Sequence, residues 1–243
     1  MCGLCGVLEP GPLPEAELRH ALDRMNATLG HRGPDDGGLW VDPDSGVGLG
    51  HRRLSILDLS PLGHQPMVSQ CGRFVLSFNG EIYNHLELRR ALREDYPFRG
   101  HSDTEVLLAS IVRWGVEKAL PELNGMFAFA LWDRRERRLT LARDRLGEKP
   151  LYYGWNGGRF LFGSELKALA AHPGWRGELD RDALASYLRL SYVPGPYSIY
   201  RGIAKLGPGC TATLELGQEQ PTIRTYWSAR EVAEIGLSHP FSG

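Results

Sequence analysis

A cysteine in second place can do chemistry that the same residue elsewhere cannot. Cys2 follows Met1, and removal of that methionine would leave a thiol and a free α-amine on one residue. An α-amine titrates near ~7.7–8.0 and a thiol near ~8.5. The amine can therefore take the thiol proton, directly or through a water, and make Cys2 a self-activated nucleophile. Asn79-Gly80 offers a carboxamide N–H₂ beside an N–H that no side chain screens. Two donors converging on one oxygen are what a tetrahedral oxyanion requires, although the same pair also reads as a plain turn. Charges suited to an amino-acid head group follow. Arg53 can grip an α-carboxylate with two prongs, and Glu81 and Asp103 can receive an α-ammonium. Each also has a simpler reading: Arg53 as a surface ion-pair partner, Glu81 as a solvated turn residue, Asp103 as helix-start charge.

Other candidates lead to less. Cys2-Gly3-Leu4-Cys5 is a C-x-x-C, but zinc needs four ligands, usually with a second pair at similar spacing. Cys71 and Cys210 are isolated, with no His pair beside them. A thioredoxin-like motif would follow a strand inside a βαβ unit. No metal site is expected, and Cys5 reads as a small buried residue. The stretch His31-Arg32-Gly33-Pro34-Asp35-Asp36-Gly37-Gly38 is turn-like and reads as scaffolding. There is no phosphate loop, no nucleophile elbow and no dinucleotide fingerprint, so no cofactor is expected in this chain.

The elements that must position these residues come from periodicity and punctuation. Residues 15–29 predict a helix, with Leu18, Leu22, Met25 and Leu29 on one face and Gly30 in the left-handed position beyond it. Short apolar stretches follow at 38–41, 47–50 and 54–57. Residues 73–78 predict a strand that ends in the Asn79-Gly80 turn. Asn84 is placed to cap a helix reaching residue 93. Ser102 and Glu105 have capping-box spacing and open a helix over 105–114 that Gly115 stops. Hairpins are predicted from 126–132 with 139–143, and from 151–155 with 159–162 around Asn156-Gly157-Gly158. Ser164 is placed to cap a helix to residue 170, and 180–190 offers another. A last strand pair is read at 210–216 and 222–227. Residues 228–243 are polar and aperiodic. Antiparallel pairs with clustered helices between them indicate an α+β fold, with helices packed on the faces of antiparallel sheets.

Composition bounds the function. The chain has 243 residues, 28 Lys+Arg against 29 Asp+Glu, 42% hydrophobic and 23% charged. That is enough for a sizeable core and excludes wholesale disorder. With no basic excess, neither a nucleic-acid groove nor an anionic-membrane surface is expected. With 30 Gly and 16 Pro, the chain should be turn-rich. The N-terminus lacks a basic region and meets Glu9 and Pro10 too early for a signal peptide. The longest strongly apolar run, 126–132, falls far short of the about 20 residues of a membrane helix. The four cysteines need not pair in a chain of this size, and a reducing, cytoplasmic compartment is expected.

Together these pieces resemble the class II glutamine amidotransferase (glutaminase) domain of the N-terminal-nucleophile (Ntn) hydrolase kind, and most nearly the N-terminal half of glutamine-hydrolysing asparagine synthetases. The stretches that carry the likeness are Met1-Cys2-Gly3, His31-Arg32-Gly33-Pro34-Asp35, Arg53-Leu54-Ser55-Ile56, Asn79-Gly80-Glu81-Ile82-Tyr83-Asn84 and Ser102-Asp103-Thr104-Glu105. Gly125-Met126-Phe127-Ala128-Phe129, Arg143-Asp144-Arg145-Leu146-Gly147 and Ser164-Glu165-Leu166-Lys167-Ala168 continue it in family order.

The resemblance implies a four-layer αββα sandwich of two antiparallel sheets. It implies a glutaminase domain over residues 1–227 and, over 228–243, the start of a linker to an absent synthetase domain. It casts Cys2 as nucleophile with its own amine as base, and Asn79 and Gly80 as the oxyanion hole. Arg53 is placed like the residue that holds the α-carboxylate of L-glutamine, and Glu81 and Asp103 like those that receive its α-ammonium. Backbone groups over Leu54, Ser55, Ile56 and Leu57 would complete the cradle. The likeness implies ammonia released through a γ-glutamyl thioester, with ATP and Mg needed only by the synthetase domain that amidates aspartate. A homodimer is compatible with it. Residues 192–200 and 205–209 resemble the stretch preceding the synthetase half, which favours asparagine synthesis. Two alternatives stay open: a synthetase-like amidotransferase with another ammonia acceptor, and a catalytically silent glutamine-binding module.

Overall fold

The strand at the start of the chain has little periodicity to announce it, because Gly3 and Gly6 interrupt its pattern. In the computed structural model, which describes residues 1–239, β1 (Gly3–Leu8) is buried along its whole length. Leu4 and Leu8 face one apolar cluster, and Cys5 and Val7 face another on the opposite side. Apolar groups on both faces are what a strand covered on both sides requires. Gly6 carries no side chain because a Cβ there would overlap the Phe162 ring.

On one side β1 pairs with β3 (Val47–Arg53), which pairs with β2 (Asp36–Asp42). On the other side lie β9 (Arg159–Gly163), β8 (Tyr152–Asn156) and β10 (Ile203–Lys205). The order β10-β8-β9-β1-β3-β2 is antiparallel throughout and sets β1 near the middle of the sheet. The second antiparallel sheet consists of β4 (Met67–Val68), β5 (Phe74–Ile82), β6 (Gly125–Asp133), β7 (Arg138–Arg143), β11 (Cys210–Glu215) and β12 (Thr222–Thr225). Its order is β12-β11-β7-β6-β5-β4. The sheets pack face to face over Leu4, Leu49, Phe160 and Phe162 from the first and Val75, Trp132, Leu141 and Leu214 from the second. Helices α1 (Glu15–Ala27) and α5 (Leu166–Ala170) cover the outer face of the first sheet. Helices α2 (His85–Leu92), α3 (Asp103–Trp114) and α4 (Val116–Glu122) cover that of the second. Two more, α6 (Arg181–Leu190) and α7 (Ala229–Ser238), complete the chain. The result is the four-layer αββα sandwich.

Several local expectations are corrected. Asn79-Gly80 is no turn. β5 runs through it to Ile82, pairing Asn79 with Ala128 and Gly80 with Phe127. The glycine serves close approach, since a Cβ would stand 2.7 Å from Phe127 Cα. Residues 54–57 form a loop beyond β3 rather than a strand. Helix α1 stops at Ala27, and Leu29 N–H bonds Asn26 O in a tight exit turn. Gly30 is not left-handed. Asn84 precedes α2, but its side chain bonds Glu122 O and Asn124 N–H instead of capping.

Half of the capping box forms. Ser102 Oγ accepts from Glu105 N–H at 3.2 Å, while the Glu105 carboxylate takes the N–H groups of Arg99 and Gly100. Ser164 Oγ accepts from Leu4 N–H at 3.0 Å, and Glu165 stands at the start of α5. The stretch read as aperiodic holds α7, capped by Ser228 Oγ; residues 240–243 of it lie outside the described residues. The two hairpins form as expected, with Gly157 and Gly158 at φ +61° and +82° in the second, a primed turn that matches strand twist.

Trp132 is fully buried between the sheets. Its replacement by Ala should cost about 3–5 kcal/mol, read as a lower denaturant midpoint in equilibrium unfolding.

Candidate active site

Cys2 stands immediately before β1, so the pairing of that strand on both sides fixes it. Gly3 lies opposite Arg52 in the register with β3, and the chain turns out of β3 to pass Cys2 again. Leu54 N–H meets Cys2 Sγ at 3.3 Å. Arg32, buried in the turn after α1, donates from Nε to Cys2 O at 2.9 Å and from a terminal nitrogen to Glu165 at 2.9 Å. That turn packs so closely on β3 that a Cβ on Gly33 would overlap the Arg52 carbonyl. The scaffolding reading of residues 31–38 therefore has a definite content. Asp35 adds to it by accepting Ser55 N–H at 2.8 Å.

The second sheet supplies the opposite wall through the free edge of β5. In an antiparallel strand, alternate residues turn both backbone groups toward the same neighbour. Phe127, which faces Gly80, gives its N–H and C=O to Asp144 on the far side. Gly80 must therefore point its own groups away from β6. On that edge Phe78 N–H donates to Gln65 at 2.7 Å, and Phe78 C=O accepts from His51 Nε2–H at 2.8 Å. Ile82 N–H donates to Asp103 at 2.9 Å. The N–H of Gly80 lies between these satisfied groups, past the end of β4, which pairs only with Val75 and Leu76. Asn79 is 1% exposed, and its carboxamide nitrogen has no partner among the described residues. A buried donor left unpaired is costly, and this one belongs to a residue that lines a cavity.

Cys2, Arg53, Asn79, Gly80, Glu81 and Asp103 line one cavity of about 120 Å³, together with Leu54, Ile56, Leu57 and Met1. Ser55 is the one candidate that does not line it; its N–H is held by Asp35. The Arg53 guanidinium is pinned by donating to Asp58 O and Ser60 O. Asp58 in turn gathers the N–H and O–H of Ser60 and the N–H of His101. Burial alone would raise that carboxyl, but these donors and Arg53 hold it down at about 2. Burial pushes Asp103 up, partly offset by the N–H groups of Ile82 and Thr104. The buried His51 is driven by desolvation to about 4 and is neutral at ordinary pH. Burial likewise pushes the Cys2 thiol up, against the opposing pull of Leu54 N–H, the terminal ammonium and Arg53.

Cys5 lies on the other face of β1, near Asn26 of α1, so the C-x-x-C sulfurs point to opposite sides. Among the described residues no group of three or more His, Cys, Asp and Glu is placed to hold a metal. Sequence reasoning missed His51, Gln65, Asp58, Thr104 and Lys149 at the site. His51 and Lys149 flank motifs already marked and were open to notice; Gln65 has no local signal, because its role depends on the β5 edge.

Chain start, carboxylates, guanidinium and unpaired amide gather at one cavity on an αββα frame, and comparison with known proteins places the chain in a family. The family described as "Glutamine amidotransferase domain" matches residues 1–227, and the chain belongs to it. Asparagine synthetase (glutamine-hydrolyzing) 3 of Bacillus subtilis is 40% identical over 94% of this chain and 37% of its own length. Asparagine synthetase (glutamine-hydrolyzing) 1 of the same organism is 39% identical over 94% and 36%. The chain thus spans less than half the length of these relatives. Among solved structures, glutamine phosphoribosylpyrophosphate amidotransferase from B. subtilis shares the fold, with TM-score 0.66 and 19% identity over 93% of this chain and 49% of that one. No helix among the described residues is long and apolar enough to cross a membrane.

The raised Cys2 thiol gives a pH prediction for the chain that carries Met1. Alkylation of Cys2 by iodoacetamide should reach half its maximal rate at a higher pH than alkylation of exposed Cys71, whose thiol is lowered, burial being outweighed by Ser69 and Arg73. Peptide mapping across a pH series checks this.

Proposed function

We propose that this chain hydrolyses L-glutamine to glutamate and ammonia, with Cys2 as nucleophile once Met1 is removed. The observation that carries the reading is the buried Asn79 amide without a protein partner, in one cavity with the Cys2 thiol, Arg53 and Asp103. The α-amine of Cys2 takes the thiol proton, and the sulfur attacks the side-chain carboxamide carbon. Asn79 Nδ2–H and Gly80 N–H hold the oxyanion. The protonated amine passes its proton to the departing nitrogen, ammonia leaves, and a γ-glutamyl thioester remains. Water, deprotonated by the same amine, attacks the thioester; glutamate leaves and the proton returns to sulfur. Arg53 takes the α-carboxylate, Glu81 and Asp103 take the α-ammonium, and backbone groups over 54–57 close the cradle. No step calls for a cofactor.

The names of the relatives and their greater length support a wider reading. In the full-length protein a synthetase region, using ATP and Mg, amidates aspartate with the ammonia released here, in the cytoplasm. Residues 1–227 are then the glutaminase unit and 228–243 the beginning of the connection.

The test is glutamate and ammonia release from glutamine, with intact-mass analysis of the same sample. Met1 should be absent, and a diazoketone glutamine analogue should add to Cys2 alone. Cys2→Ala should abolish release. Asn79→Ala should lower turnover roughly 10²–10³-fold with little change in KM, whereas Arg53→Lys should act chiefly on KM by losing the two-pronged contact. Full activity in protein that retains Met1 would overturn the reading.

A further inference from the structure

One wall of the cavity holds a charge that the glutaminase chemistry above leaves unused. Lys149 is 5% exposed, lines the cavity with Cys2, and has Met1 Sδ, at 3.5 Å, as the only hydrogen-bonding contact of its Nζ among the described residues. A thioether is a poor acceptor for an ammonium. The side chain is aimed there by a rigid loop. Fully buried Asp144 accepts the N–H groups of Leu146, Glu148, Lys149 and Phe127, and Arg143 Nε donates to Lys149 O at 2.7 Å. Because Phe127 lies opposite Gly80, the same carboxylate sets Lys149 in register with the oxyanion edge.

The other charges around Cys2 come from several elements, most of them with protein partners. Arg32, from the turn after α1, donates to Cys2 O and Glu165, and Arg53, from β3, donates one N–H from each terminal nitrogen to Ser60 O and Asp58 O. Asp103, at the start of α3, has both oxygens on backbone N–H groups, and the Asp58 carboxylate is likewise saturated. Glu81, on β5, is half-buried at the cavity rim. The Met1 sulfur is tied to the Cys2 nitrogen through its side chain, Cα and carbonyl carbon, so Lys149 Nζ stands on the side of the cavity that Met1 occupies. Removal of Met1 takes away that contact of Lys149 Nζ and leaves its ammonium lining the same cavity as the newly freed amine.

We propose that Lys149 is a positioning residue for the general base: its positive charge disfavours a second ammonium on Cys2 and keeps the α-amine neutral and ready to take the thiol proton. This rests on the glutaminase reading above. A like charge held close lowers the proton affinity of an amine. Salt screens such a buried pair weakly.

The experiment is the pH profile of kcat/KM for glutamine in the wild-type chain, Lys149→Met and Lys149→Arg. In Lys149→Met the acid limb should move up by about one pH unit, with the plateau above it within a few-fold of wild type. Lys149→Arg, which keeps the charge, should retain the wild-type limb. An unmoved limb in Lys149→Met overturns the proposal, as does a loss that is equal at all pH or appears only in KM, since either marks a structural or substrate-holding role. Should Lys149→Met fail to fold, Lys149→Gln replaces it, with acetic anhydride labelling of the Cys2 α-amine across pH as a readout independent of turnover. There the midpoint should rise relative to wild type, and an unchanged midpoint overturns the proposal. Absence of glutamine turnover in Met1-free wild type would sink the glutaminase reading itself, a result distinct from either.

Discussion

The first residues of a chain ordinarily fray, having a neighbour on one side at most and few contacts to hold them. Here they are pinned from both sides. β1 pairs with β3 through Gly3 to Leu8 and with β9 through Cys5 to Leu8. Ser164 adds a reciprocal pair, its N–H to Leu4 O and its Oγ receiving Leu4 N–H. Every other feature of the cavity presupposes that double pairing, because it leaves Cys2 no freedom beyond its own side chain. Arg32 then needs only to hold one carbonyl, and Leu54 only to offer one N–H, for the sulfur to be fixed.

The facing wall is built by a different device. An edge strand carries backbone groups that something must satisfy, and β5 assigns nearly all of its exposed ones to specific side chains. Gln65, His51 and Asp103 take Phe78 N–H, Phe78 C=O and Ile82 N–H in turn. His51 also bridges the two sheets, as does Ser77 Oγ to Gly50 O. The donors at Asn79 and Gly80 stand between hydrogen-bonded positions on that edge, so under the proposed reaction they would need no reorganisation when charge develops before them. Preorganised donors of this kind supply much of the barrier lowering in acyl transfer.

How much of this was open to reading from residues alone depended on range. The α1 face, both hairpins and the helix behind Ser102 follow from spacing, and they appear within a few residues of where spacing puts them. Cys2, Arg53, Asn79, Gly80, Glu81 and Asp103 came from chemical type and Leu54 to Leu57 from the family resemblance, and all except Ser55 reach the cavity. What failed was whatever depends on distant partners. Asn79-Gly80 has the local signature of a turn, yet pairing with Ala128 and Phe127 of β6 carries it as strand. Ser164 and Asn84 look like caps but spend their side chains on remote backbone. β1 itself was invisible, its two glycines removing the alternation that strands are read by. Lys149 follows the marked stretch Arg143–Gly147, but its place beside Met1 depends on the Asp144 loop reaching back to the chain start.

The central place of β1 also bears on how the molecule is made. Its register with β9 joins Leu8 to Phe160 and Cys5 to Gly163, so the earliest strand synthesised is completed only when residues some hundred and fifty positions later have emerged. Contacts of such sequence separation form slowly because loop closure precedes their reward. During translation the nascent N-terminus has β3 as a partner long before β9 exists. The connectivity of the first sheet thus leaves the strand behind Cys2 paired on one edge only until the β8–β9 hairpin has been made.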